Sequence, residues 1–128
     1  MTLGLAAFSA VLHVYIFFME SILWGTPAVN KKFGVTADNA EVTRLFAFNQ
    51  GFYNLFLAIA IVAGLVMVHS LGRPQGQLLV DYAMLSIFGA GIVLVSSNSN
   101  LIIPAMAQAL PPVIYGIFRF IEMNRSTT

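Results

Sequence analysis

Residues 47–57 read AFNQGFYNLFL, and the polar side chains among them govern how the rest of the chain must be arranged. From Leu45 to Val68 no residue is charged, a run long enough to cross a bilayer as one helix. Yet Asn49, Gln50, Tyr53 and Asn54 all stand near its start. Advancing about 100° per residue, they fall at about 0°, 100°, 40° and 140°, a single sector of the helix. Hydrocarbon offers these groups no hydrogen-bonding partner, so the sector is expected to face other helices or enclosed water.

Composition supports a membrane setting for the whole chain. Of 128 residues 59% are hydrophobic and 9% charged, where a soluble domain carries roughly 25% charged residues. The mean hydropathy is +0.85. A net charge of +1 argues against a nucleic-acid partner, which needs a concentrated basic face. Cysteine is absent, which removes disulfides, thiolate metal sites and cysteine nucleophiles together. The opening MTLGLAAFSA lacks the basic region of a secretory signal, so it reads as part of a retained first span.

Working outward from the central run, four stretches have spanning length: about 3–24, 45–68, 78–97 and 101–120. The expected fold is all-α, a four-helix transmembrane bundle forming a single domain over 1–128, multi-pass in the cell membrane. The face near the N-terminus is called side A and the opposite face side B. The second helix is expected to begin near Ala37, beyond the lipid, because Thr36 followed by Asp38 reads as an N-cap with an acidic first turn. Gly25–Thr36 is expected to be a solvated loop. LGRPQGQ (71–77) and the polar run 96–100 supply the two remaining turns, the second short enough to make the third and fourth spans antiparallel neighbours. Ser86 and Ala90, with Gly89 and Gly91 nearby, suit close helix packing on the third span. Pro111–Pro112 should kink the fourth span and free backbone carbonyls near mid-membrane.

In the first span Ser9, His13, Phe17, Glu20 and Trp24 recur at spacings of three and four, which makes one stripe. A second stripe on the fourth span holds Pro104, Gln108, Pro111, Tyr115, Arg119 and Glu122. Counted from side B, Glu20, Asn49, Gln50 and Gln108 lie roughly 6–11 Å deep, and Tyr53, Asn54 and His13 roughly 13–17 Å. Three helices thus place polar groups in one half of the membrane, which points to a shared pocket opening toward side B. An ionisable group inside a span is a functional candidate, so Glu20 and His13 are the candidate acid/base pair. Glu20 is expected close to Asn49, Gln50 or Tyr53, with His13 lining the deeper end of the cavity. Asn49, Gln50, Tyr53, Asn54, Gln108 and Trp24 are candidate ligand-binding residues, although Trp24 also suits a simple interfacial anchor and the amides simple interhelical bonds. Near side A, Asp81 and Arg119 are expected to pair.

The pattern His13…Glu20…Trp24 followed by AFNQGFYNLFLA (47–58) resembles a family of small bacterial four-span membrane proteins, domain-of-unknown-function family 1304. The resemblance covers nearly the whole chain and implies a four-helix membrane protein without naming an activity. It singles out His13, Glu20, Asn49, Gln50, Gly51, Tyr53 and Asn54.

No nucleophile elbow, P-loop, HExxH or GxGxxG pattern occurs. His13 and Glu20 are two turns apart, so ligation of one metal ion by both would be strained and no metal site is assigned; a haem on His13 alone is geometrically feasible, and the cofactor is left open. Three functions follow. The first is a polar pocket in the bilayer that binds or converts a small apolar molecule by acid/base chemistry such as isomerisation or hydration. The second is a small proton-coupled transporter working as a homo-oligomer, against which stands the lack of an internal inverted repeat. The third is a structural subunit with no site. Orientation is balanced, with Arg73, Arg119 and Arg125 on side A and Lys31, Lys32 and Arg44 on side B.

Overall fold

In the computed structural model, which describes residues 1–125, helix α1 spans Thr2–Phe17 and continues through a π-helical turn, Phe18–Ile22. A short α2 covers Pro27–Phe33, followed by α3 at Ala37–His69, α4 at Gln75–Ser97 and α5 at Ile102–Arg125. A 3-10 turn, Ser99–Leu101, joins α4 to α5. Among the described residues four helical stretches are long and apolar enough to cross a membrane: α1 with its π turn, α3, α4, and α5 with its 3-10 turn. They pack as a ring in which α1 touches α3, α3 touches α4, α4 touches α5 and α5 closes back on α1.

The sequence explains most of these boundaries. Thr36 caps α3, its hydroxyl accepting from the Asn39 amide at 3.3 Å, and α3 starts at Ala37 as the acidic first turn predicts. Asn98 caps the 3-10 turn by accepting from the Asn100 amide. The expected loop between the first two spans is different, because it contains α2. Thr26 stands at its N-cap with Pro27 in the first turn, and Gly34 ends it with φ 65°, a left-handed conformation that favours glycine. α5 runs unbroken through Pro111 and Pro112, both buried. Each proline lacks an N–H, so the carbonyls of Ala107 and Gln108 have no helical donor at those positions.

Lipid tails are as apolar as leucine, so these helices are held by close fit rather than by the hydrophobic effect. Backbones meet where side chains are smallest. Gly64 lies against Gly76 and Val80, and a Cβ on either glycine would collide with the opposite helix. Gly91 lies against Ala105 and Ala109 in the same way. Ser86 and Ala90 do not form the packing face: Ser86 bonds the carbonyl of Tyr82, Ala90 is exposed, and Gly89 has open space around it. Ala83, Met84, Ile87 and Gly91 face inward instead, about a quarter turn around the helix from the small residues picked out by spacing. Between the helices sit Ile61, Val80, Met84 and Ile87, all at most 1% exposed. Of each span's most apolar window only 28% is buried, and the outward apolar remainder is what a bilayer covers.

Near side A the predicted pair is present. Arg119 holds Asp81 with two bonds, Nη2 to Oδ2 at 3.0 Å and Nε to Oδ1 at 3.1 Å. Tyr115 donates its hydroxyl to the same Oδ1, and Gln77 Nε2 reaches both Asp81 at 2.9 Å and the Tyr115 oxygen at 2.7 Å. Glu122 lies 3.7 Å from Arg119 and accepts from the Thr2 hydroxyl. One polar network therefore joins α1, α4 and α5 at this end.

Candidate functional site

The site begins with the π turn. A π-helix inserts one extra residue per turn, and such turns recur at functional positions. Here the turn carries Glu20 and Ser21 on the side facing α3. Ser21 donates to the carbonyl of Phe48 at 2.8 Å. That approach requires Gly51, because a Cβ there would strike the Ser21 hydroxyl and stand 3.0 Å from the Ser21 amide nitrogen.

Past this contact, Asn54 Nδ2 donates to Glu20 Oε2 at 2.8 Å and also to the carbonyl of Gln50 at 3.1 Å. The direct partner of Glu20 is thus Asn54, rather than Asn49, Gln50 or Tyr53. Counting residues measures backbone depth, whereas side chains on a helix lean toward its N-terminus. α1 and α3 run in opposite directions, so Glu20 leans deeper and Asn54 leans shallower until they meet. Glu20 Oε1 accepts no hydrogen bond from a described residue.

Glu20, Trp24, Asn49, Gln50 and Tyr53 line one open recess of about 880 Å³ between the end of α1 and the outer part of α3. Asn49 and Gln50 are exposed and Tyr53 is 62% exposed, so of the four polar residues in the sector only Asn54 points at another helix. The others form an open wall. Trp24 is more than an anchor: its indole N–H donates to the Ala40 carbonyl at 2.9 Å, and its ring packs edge-on against Phe33 at 5.3 Å. Phe33, Gly34 and Val35, at the end of α2, close one side of the recess. This wall stands where a plain loop is expected over 25–36, and its sequence signals are Thr26-Pro27 at the start and Gly34 at the end of the short helix. Asn39, Thr43 and Phe46 complete the polar and apolar lining on α3.

His13 and Gln108 do not line the recess. The His13 ring is 1% exposed and its Nδ1 lies 2.8 Å from the Ser9 carbonyl. A carbonyl only accepts, so Nδ1 carries the proton there. Nε2 and the Ser9 hydroxyl are buried without a hydrogen-bond partner among the described residues. Enclosed in this way, the ring offers no open face for a haem. Gln108 is buried in α5, and its side chain makes no hydrogen bond to a described residue. The same lean of side chains accounts for His13, which tilts toward side A and away from the recess.

These elements define a multi-pass helical membrane protein in which Glu20, near one end of the bundle, has no basic partner among the described residues. Over residues 7–119 the chain matches the family described as Protein of unknown function (DUF1304), and it belongs to that family. No curated protein and no solved structure matches it.

Proposed function

We propose that this protein, placed in the cell membrane, uses the recess at the end of α1 to bind a small, mainly apolar molecule entering from the lipid or from side B, with Glu20 as the group that exchanges a proton. The observation that carries this reading is the setting of the Glu20 carboxylate. Asn54 fixes one oxygen, the other takes no hydrogen bond from a described residue, and the group lines the recess. A carboxylate held in one orientation beside an open space can take a proton from a bound molecule and return it elsewhere, which is what isomerisation or hydration requires. Gln50 and Tyr53 have side-chain polar atoms free to orient such a molecule, while Trp24, Phe33 and Val35 supply apolar wall. His13 and Gln108 have no part in this proposal.

A second reading is proton-coupled transport by a homo-oligomer. It is favoured by the contrast between Glu20, which has no basic partner among the described residues, and Asp81, which is tied to Arg119. Native mass spectrometry of the purified protein would reveal a copurified molecule and the oligomeric state. Turnover of that molecule in detergent without a gradient supports the enzyme. Flux in proteoliposomes that follows a proton gradient, without turnover, supports transport. A protein that carries nothing and gains no stability from lipid extracts would defeat both readings.

A further inference from the structure

The recess has an uneven chemistry. Its lining contains one carboxylate, Glu20, and no lysine, arginine or histidine. Four aromatic rings share it: Trp24, Phe33, Phe46 and Tyr53. The Trp24 ring is held in place by its bond to Ala40 and its edge-on contact with Phe33, so part of the aromatic wall is preformed. The nearby cations are engaged elsewhere. Arg44 bonds Glu41 and the Trp24 carbonyl, and Lys32 bonds the Tyr15 hydroxyl and lies 5.0 Å over the Tyr15 ring.

From this arrangement we infer that the ligand is an amphipathic organic cation, a protonated amine or quaternary onium carrying aryl or alkyl groups. The inference rests on the recess being a ligand site, but not on what chemistry follows binding. A carboxylate at membrane depth is unfavourable without a countercharge, and the two carboxylates toward the other end of the bundle, Asp81 and Glu122, have Arg119 for that purpose. Glu20 has an amide donor and no cationic partner among the described residues. Aromatic faces attract cations through the ring quadrupole, most strongly where water is displaced. An anion would meet the Glu20 charge with no base to offset it. A neutral molecule would gain the apolar wall alone. The cation gains the wall, the ring faces and the carboxylate together.

The chain has a single tryptophan, Trp24, and it lines the recess, so its emission reports occupancy directly. The test titrates the purified full chain in neutral detergent with three probes bearing similar aryl groups: tetraphenylphosphonium, neutral triphenylphosphine oxide and anionic tetraphenylborate. Expected is a saturable change in Trp24 emission with the phosphonium, at least tenfold weaker with the other two. Glu20→Gln should weaken the phosphonium at least tenfold and leave the oxide unchanged, while Glu20→Asp, which keeps the charge, recovers part of the preference. Tyr53→Leu, at an exposed position, should weaken the phosphonium roughly threefold. Saturable binding of the oxide equal to or tighter than that of the phosphonium would keep the recess as a site and overturn the cation. Equal phosphonium affinity in wild type and Glu20→Gln would overturn it as well. Failure of all three probes to saturate would overturn the ligand site together with the cation.

Discussion

Asn54 and Glu20 lie 34 residues apart in the chain, and the 2.8 Å bond between Asn54 Nδ2 and Glu20 Oε2 fastens α1 to α3 at the base of the recess. Asn54 is 7% exposed, so the bond is shielded from water. Replacing Asn54 with leucine leaves a carboxylate at membrane depth with no donor, while the mutant residue itself fits an apolar setting. Loss of one hydrogen bond to a charged group predicts destabilisation of about 1.5–3 kcal/mol. Reversible unfolding in mixed micelles measures it, and a change below the resolution of that assay would show that the bond contributes nothing.

Glu20→Gln separates charge from structure. The glutamine carbonyl can still accept from Asn54, so unfolding should move by no more than about 1 kcal/mol. Activity or occupancy by a copurified molecule should disappear. Full occupancy and activity in this variant would leave Glu20 a structural residue.

The contact of Gly51 with Ser21 is a matter of space. Gly51→Ala puts a methyl group where the Ser21 hydroxyl sits and should destabilise the bundle by about 1–3 kcal/mol as α1 and α3 move apart. Gly89→Ala is the control, since nothing lies within 4 Å of its added carbon. There the gain in helix propensity should stabilise by about 0.5–1 kcal/mol. Equal effects at the two sites would refute the close-approach argument.

At side A, Tyr115→Phe removes one of three groups that bond Asp81 Oδ1 and should cost about 1 kcal/mol. Asp81→Asn should cost more, about 1.5–3 kcal/mol, because Arg119 loses a charged bidentate partner. Neither change should alter ligand occupancy of the recess, which lies toward the other end of the bundle. Loss of occupancy in Tyr115→Phe at unchanged stability would tie the two ends together and contradict this separation.

The architecture could be read from the chain because it follows from local rules. Four apolar runs of spanning length force four spanning helices, Thr36 marks the start of α3, and Asp81 and Arg119 sit at matching depths on adjacent helices. Family membership was legible for the same reason, since NQGFYN is contiguous. What periodicity could not decide was the rotation of each helix and the direction of each side chain. Spacing put Ser86 and Ala90 on the packing face, whereas the fit of Gly91 against Ala105 and Ala109 turns α4 another way. Residue counting put His13 in the same pocket as Glu20, but the two side chains belong to different surroundings: one is sealed inside the bundle, and the other faces the recess. It also left Glu20 opposite Asn49 or Gln50, and only the opposed lean of side chains on antiparallel helices brought Asn54 to it. The wall formed by α2 depends on a chain reversal between two spans, which hydropathy does not register. Sequence alone determined the number of spanning helices, the start of α3 and the residues that are polar in an apolar setting, because these depend on composition along one dimension. The tertiary structure alone decided which of those residues share a surface, because that depends on helix rotation and on contacts between segments far apart in the chain.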